Sequence, residues 1–524
     1  MLHEPANVKR ARLGLLLALL AAALLRFWAL SQGIGFNPGV DEPEVMERAV
    51  RMMKTGDLNP HFFDYPGLYM YVEAAVSIVR FMVGAMQGKW SSLAHAGTEE
   101  FYLWARGMTA LLGTLTVWVV YRAGLRWGPQ VALLASVLIA VMPLHVRESH
   151  YVLTDVPMTF VMMVTFLLSL RAHERATMGA FALAGMTAGL AGALKYNGIL
   201  AVVMPLVACA LTPRLRGSRI LCAMTIVAVM VGAFLMAAPY TMLDLPHFLN
   251  QFARLSSEYK MPAAVSEPVW LIYLKHLRLA LQWPGSLMVI GGFAVGVWRI
   301  ARDQDRLRWV LAVVFPLLYF RFISQQNIIF ARYLLPIVPF LSILAAAAVV
   351  TFVAWMRSAG VPMRVRHGIT IALTVIAIAP PAYRAIAYDA NQAKTWTQAL
   401  TYEWILRELP PGTSIRLEGS VAPKLPAGYK VTYAKQLRMD GTADYAGKGI
   451  QYLVASSQVY GQYASPVVFP AEHREYQAIF GQTDEVARFT PSDEHPGPEL
   501  RILKVRQPSL SGCEVRDPDA RRTA

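Results

Sequence analysis

The chain runs to 524 residues, of which 55% are hydrophobic and only 16% charged, with a formal net charge of +15. So apolar and charge-poor a composition excludes an ordinary soluble domain and points to a polytopic membrane protein. Most of the arginine stands in short loops between apolar runs, so the positive charge reads as a topology signal, and nucleic acid is excluded as a partner.

The cysteines Cys209, Cys222 and Cys513 form no CxxC pair, which indicates neither a disulfide framework nor a cysteine-based zinc site. Lys9, Arg10 and Arg12 precede an apolar run from Leu13 to Leu30 without a clean small-residue cleavage site, and an uncleaved first span is expected. A span needs about 20 apolar residues, fewer where neighbouring helices cover its ends. The runs are 13–31, 103–121, 130–144, 156–170, 178–194, 198–212, 219–238, 284–298, 309–320, 333–356 and 367–387.

The run at 68–87 is ambiguous, and charge decides how it is read. If it does not cross, the loops at Arg122/Arg126, Arg171/Arg175, Arg214/Arg216/Arg219, Arg299/Arg302/Arg306/Arg308 and Arg357/Arg364/Arg366 all share the cytoplasmic side with Lys9–Arg12. The expectation is therefore an apolar helix at the outer surface, or re-entrant, with about eleven spans. The N-terminus is then cytoplasmic, in a cell (inner) membrane, and the C-terminus outside. Segments 36–65, 145–155, the turn near Lys195–Gly198, 239–268 and 321–332 fall on the outer face, where function is expected.

The expected fold class is an all-α polytopic membrane protein with a small C-terminal α/β extracytoplasmic domain. The membrane domain is placed at 1–390, with an outer loop at 32–100, and the α/β domain at 391–507. In the latter an amphipathic helix at 395–408 ends at Pro410-Pro411-Gly412, and short β-like runs follow at 415–418, 429–433, 450–455 and 500–505. The polar tail at 508–524 reads as disordered.

Four sets of polar residues stand out. Asp41 and Glu42 are adjacent acids just beyond the first span, where one carboxylate takes a proton or a cation while the other orients a donor. Helix capping by Asp41 is an equally good account. His145, Arg147, Glu148, His150 and Asp155 place five ionisable groups within eleven residues, and an arginine beside histidine suits a phosphate clamp, against the plainer reading of a solvated loop. Lys195 is a lone ammonium between two runs, suited to a phosphate, to Asp155, or to snorkelling toward the interface. Arg332 and Tyr333 stand on the outer side in RFISQQNIIFARYLLP, where a cation runs against the positive-inside bias and favours an anionic partner. Arg254, Lys260, Lys275, His276 and Arg278 read as lipid-headgroup contacts. Tyr65, beside the Pro66-Gly67 bend, suits stacking on a sugar or interfacial anchoring.

The acid pair followed by YPGLY resembles the C-type (GT-C) membrane glycosyltransferases, closest to their protein O-mannosyltransferase and lipid A aminoarabinose transferase branch. LWARGMTALLGTLTVWVVYRAGLRWG, PLHVRESHYVLTDVPMTF, GLAGALKYNGILAV, APYTMLDLPHFL and RYLLPIVPFLSILAA fit in order, over most of 10–390. The resemblance implies a polyprenyl-phosphate-linked sugar donor and transfer to an acceptor on the extracytoplasmic face, the acceptor being a protein, lipid or glycan. It assigns Asp41 as general base or metal-associated carboxylate, Glu42 as its neighbour, Asp155 as the second-loop acid, and Lys195 and Arg332 as donor-phosphate contacts. Asp41 and Asp155 are candidate ligands for a divalent cation, magnesium or manganese. Where the aminoarabinose branch has a lysine before the first-loop proline, this chain has Tyr65, which speaks against lipid A modification. A lipid-linked glycan transporter, or a non-catalytic partner of a glycan assembly system, is the alternative. Such a transporter predicts polar residues deep in the spans and an inverted repeat.

Overall fold

The computed structural model describes residues 6–34, 39, 41–215, 217–260, 267–302, 306–419, 425–440 and 445–506. The expected tail at 508–524, with Cys513, lies outside these residues, as do Arg216 and the side chains of Lys9 and Arg10. The chain divides into two compact units, Met1–Gln32 with Asp41–Ala390, and Gly33–Val40 with Asn391–Ala524.

The first unit is helical. Its helices are α1 (Ala6–Phe27), α2 (Glu42–Thr55), α3 (Leu68–Met86), α4 (Tyr102–Gly124), α5 (Pro129–Ala140), α6 (Pro143–Glu148), α7 (Asp155–Arg175) and α8 (Met178–Leu194). There follow α9 (Val203–Ala210), α10 (Arg219–Ala237), α11 (Tyr240–Leu243), α12 (Leu245–Lys260), α13 (Val269–Arg302), α14 (Leu307–Ile323), α15 (Val338–Ser358) and α16 (Met363–Gln392). Each expected apolar run has a helix at its centre. Helix α13 is broken at Gln282, two residues ahead of Pro284, whose ring cannot continue the hydrogen-bond ladder.

Among the described residues seven helical stretches are long and apolar enough to cross a membrane, and Leu68–Met86 is one of them. The run expected to lie on the outer surface therefore has the length of a span, packed against α2 and α4. Ile220, Met224, Met236, Ile371 and Val375 are exposed, as lipid-facing side chains are.

Where helices meet closely, glycine permits it. A Cβ on Gly185 or Gly189 of α8 would lie 2.6 Å from the carbonyl of Ile226 or 2.2 Å from that of Met230, both on α10. This small-residue spacing lets two backbones approach in a setting where lipid gives no hydrophobic drive to helix pairing. Beyond α8 the chain turns at Lys195, whose extended backbone ends the helix, and Gly198 packs onto the Ala191 carbonyl, where a Cβ would sit at 2.1 Å. The turn is pinned by Tyr196 Oη donating to Phe63 O at 2.8 Å and Asn197 Nδ2 donating to Tyr319 Oη at 2.8 Å.

The described residues of the second unit carry five strands, β1 (Ser414–Glu418), β2 (Lys430–Ala434), β3 (Tyr452–Ser456), β4 (Thr483–Phe489) and β5 (Leu500–Val505), in the order β2-β1-β3-β5-β4. β1 pairs in parallel with β2 and β3, whereas β5 is antiparallel to β3 and β4. Helices α17 (Thr397–Glu408) and α19 (Pro470–Gln482) cover opposite faces, with the four-residue α18 (Ser457–Tyr460) between β3 and α19. Period-2 alternation sorts the core: Val454 joins Ile405, Ile415 and Ile502, while Leu453 and Ala455 join Tyr476 and Ile479. The sequence reading misses β4, because TDEVARF is an edge strand with a mostly exposed, charged surface and little apolar alternation.

Candidate active site

Asp41 occupies the N-cap position of α2, yet its side chain makes no capping hydrogen bond. Its Oδ2 accepts from Arg332 Nη2 and lies 3.4 Å from the Tyr65 hydroxyl. Arg332 stands in the 3-10 turn Ala331–Leu334 just ahead of α15, and its Nε lies 3.6 Å from Asp155 Oδ2, at the first residue of α7. Lys195 completes the set from the end of α8, donating to Asp155 Oδ1 at 2.7 Å. One turn and the ends of three helices thus bring two carboxylates and two cations together in alternation: Asp41, Arg332, Asp155, Lys195.

Aromatic rings close the cluster. Lys195 Nζ lies 4.5 Å from the ring centre of Tyr333, and Arg332 stacks over Phe330 at 4.1 Å. Tyr333 shares a 2.7 Å hydroxyl–hydroxyl hydrogen bond with Tyr259 of α12. Tyr259 escapes the sequence reading, being one aromatic among many in the outer segment 239–268.

The cluster is partly shut off from solvent, with side-chain exposures of 24% at Asp41, 13% at Arg332, 9% at Lys195 and 3% at Asp155. Burial holds the Lys195 ammonium below the ordinary lysine value, and the Asp155 carboxylate opposes this only in part. Burial would also lower Arg332, but Asp155 and Asp41 outweigh it and raise the guanidinium above its usual value. Tyr65 is raised, first by burial and then by the two carboxylates, so its hydroxyl stays protonated. Arg332 Nε is buried without a hydrogen-bond partner. A cationic N–H left unsatisfied in a desolvated site is costly, and an incoming anion would relieve it.

Other expected site residues lie elsewhere. Glu42 turns away from Asp41 and is fully buried, accepting from Arg106 Nε at 2.8 Å, from Arg106 Nη2 at 2.6 Å and from Val152 N at 2.8 Å. It forms an ion pair in the interior and makes no contact in the Asp41–Arg332–Asp155–Lys195 set. His145 and His150 are both buried, with partners outside this set. His145 Nδ1 faces Arg26 Nη2 at 3.1 Å, and the His150 ring nitrogens face Val146 O and Trp28 O, each at 2.9 Å. Arg147 pairs with its neighbour Glu148. Arg254 pairs with Asp64 at 2.5 Å and Glu258 at 2.6 Å, and half of its side chain stays exposed.

The arrangement does not fit a divalent ion on Asp41 and Asp155. Arg332 bridges both carboxylates and Lys195 takes the remaining oxygen of Asp155, so a metal would have to displace protein cations already in place.

The family model for dolichyl-phosphate-mannose-protein mannosyltransferases matches residues 46–253. Among solved structures, the apo oligosaccharyltransferase of Archaeoglobus fulgidus aligns at TM-score 0.60 and 13% identity, over 94% of this chain and 76% of that one. ArnT of Cupriavidus metallidurans aligns at TM-score 0.59 and 17% identity in the apo state, over 94% of this chain and 98% of that one. Its undecaprenyl-phosphate-bound form aligns at TM-score 0.57 and 16% identity, over 93% and 97%. Comparison with curated protein sequences gives no match. The chain is a multi-pass membrane protein with the fold of the C-type membrane glycosyltransferases. Within that fold, the stretch resembling the protein O-mannosyltransferases carries Tyr65, Asp155, Lys195 and the three histidine and arginine positions of α6 and its flank.

Proposed function

We propose that this protein is an integral-membrane glycosyltransferase, moving a sugar from a polyprenyl-phosphate-linked donor to an acceptor on the extracytoplasmic face. The observation that carries the reading is Arg332, a buried guanidinium shared between Asp41 and Asp155 with one N–H unsatisfied. A lipid-linked phosphate arriving there takes Arg332 and Lys195 as counterions and frees the partly exposed Asp41 for a proton. An acceptor hydroxyl then attacks the anomeric carbon: the new C–O bond forms as the bond to the phosphate oxygen breaks. The hydroxyl proton passes to Asp41, and the lipid phosphate departs with the bonding pair, its charge held by the two cations. Single displacement of this kind inverts the anomeric centre.

An apolar cavity of about 440 Å³ between α13, α14 and α15 suits an isoprenoid tail, and Ile337 on its wall follows Arg332 by five residues.

The test is release of lipid phosphate from a panel of polyprenyl-phosphate sugars by the purified protein, wild type against Asp41→Asn, with and without EDTA. Loss of at least about 100-fold in the variant is expected, with and without EDTA. Full activity in Asp41→Asn would remove the assignment, and specific binding without turnover of any donor would favour a transporter or partner role.

A further inference from the structure

A second group of side chains, outside the Asp41 cluster, has the donor set of a transition-metal site. His61 stands in the outer segment ahead of Tyr65, Asp244 immediately before α12, and His247 in its first turn. One donor atom from each lies within 4.8 Å of the other two, and among the described residues no other three histidine, cysteine or acidic side chains converge in this way.

Each side chain is aimed by a neighbour. Asp57 Oδ2 lies 2.9 Å from His61 Nε2 and is itself held by Arg51 at 3.0 Å. Asn59 Nδ2 donates to Asp244 Oδ2 at 2.9 Å. Gln251 faces His247 Nε2 at 2.5 Å while its oxygen accepts from Phe63 N at 2.6 Å. A carboxylate behind an imidazole and hydrogen bonds on a ligating carboxylate are the supports that orient metal ligands. The backbone of His61 takes a left-handed φ of 49°, a conformation non-glycine residues rarely adopt, to turn this ring back toward α12.

We propose that His61, Asp244 and His247 bind one zinc-class dication, with water completing a tetrahedral shell. Two imidazoles and one carboxylate are too nitrogen-rich for magnesium or calcium and match borderline-soft metals. Bonds of 2.0–2.2 Å place tetrahedral donors about 3.4 Å apart, and His247 Nδ1 already lies 3.5 Å from Asp244 Oδ2. All three are partly solvent-exposed, which gives the ion a way in.

The role is mechanical. The ion clips the segment at 57–61 to the start of α12, and each tethered element supplies one tyrosine to the other cluster. Four residues beyond His61 the chain reaches Tyr65, beside Asp41, while α12 carries Tyr259, bonded to Tyr333. The site therefore stiffens two walls of the cluster without joining its chemistry.

The test uses full-length, tag-free protein in detergent, stripped with chelator and titrated with zinc or magnesium chloride while bound metal and the thermal midpoint are followed. One zinc per chain and a raised midpoint are expected, with no response to magnesium. The combined His61→Ala and His247→Ala variant should match stripped wild type in midpoint and show no zinc-induced rise. Asp57→Asn, which keeps all three ligands, should weaken zinc by about 10- to 100-fold. Substoichiometric zinc in the wild type, or a zinc response unchanged in the double variant or in Asp57→Asn, would overturn the site.

Discussion

Arg332 donates to Asp41 across 291 residues of chain, and its Nε faces Asp155 at 3.6 Å. One guanidinium thus links the acid at the start of α2 to the acid at the start of α7. Under the proposed function, replacing it with a neutral side chain removes a charge-assisted contact to the donor phosphate, worth about 2–3 kcal/mol. Arg332→Gln is expected to lower kcat/KM for the lipid-linked donor by roughly 30- to 100-fold. Arg332→Lys should restore little, because an ammonium cannot span two carboxylates as a planar fork does. Steady-state kinetics on the two variants check this.

Lys195 gives the pH dependence. Its ammonium is held below the ordinary lysine value by burial, so it sheds its proton at a lower pH than a surface lysine would. The neutral amine no longer attracts phosphate, so donor affinity should fall on the alkaline side. Lys195→Arg should move that limb to higher pH, since guanidinium does not titrate in the range. Profiles of KM against pH for the two proteins separate this from a loss of stability, which would lower kcat and the amount of folded protein together.

Glu42 and Arg106 bury opposite charges at 0% and 2% exposure. Removing the carboxylate leaves a guanidinium without its counterion in the interior, at a cost of about 3–5 kcal/mol. Glu42→Ala should therefore lower the thermal midpoint and the yield of folded protein, whereas Asp41→Asn leaves both near wild type. Thermal unfolding of the two variants in detergent distinguishes the adjacent acids.

In the C-terminal unit, Glu418 accepts from Leu437 N at 2.8 Å, Ser456 N at 2.9 Å and Tyr476 Oη at 2.6 Å while fully buried. Glu418→Ala leaves three donors unpaired and should cost about 3 kcal/mol or more, seen as faster limited proteolysis within 391–506 of the full-length chain. Burial raises the Glu418 carboxyl above its usual value, against the pull of its three hydrogen bonds. The folded state therefore holds this proton more tightly than the unfolded chain. The resulting stability is present below the unfolded pKa and lost as pH rises through the folded one. Mild acid should then slow proteolysis of this unit, an effect that Glu418→Gln removes.

Much of this architecture is legible in the chain itself. Apolar runs of span length, arginine mostly in the loops between them, and the change of composition after Tyr388 follow from the cost of placing polar groups in hydrocarbon. Those features single out the outer polar segments, and the Asp41 cluster assembles from four of them: Asp41 and Tyr65 from 36–65, Asp155 from 145–155, Lys195 from its turn, and Arg332 from 321–332 with Tyr333 beside it. Clustered charge around His145 proves less informative, because a buried structural network and a ligand site draw on the same residue types.

What sequence could not decide is which acid meets which cation. Asp41 and Glu42 are neighbours in the chain, but successive residues at a helix start point about 100° apart. One reaches Arg332 in a partly open site, and the other reaches Arg106 in the interior. The same holds for His61 and α12, brought together over more than 180 residues. Hydropathy is a local property and can be read along the chain, whereas charge pairing depends on long-range neighbours that exist only after the helices have packed.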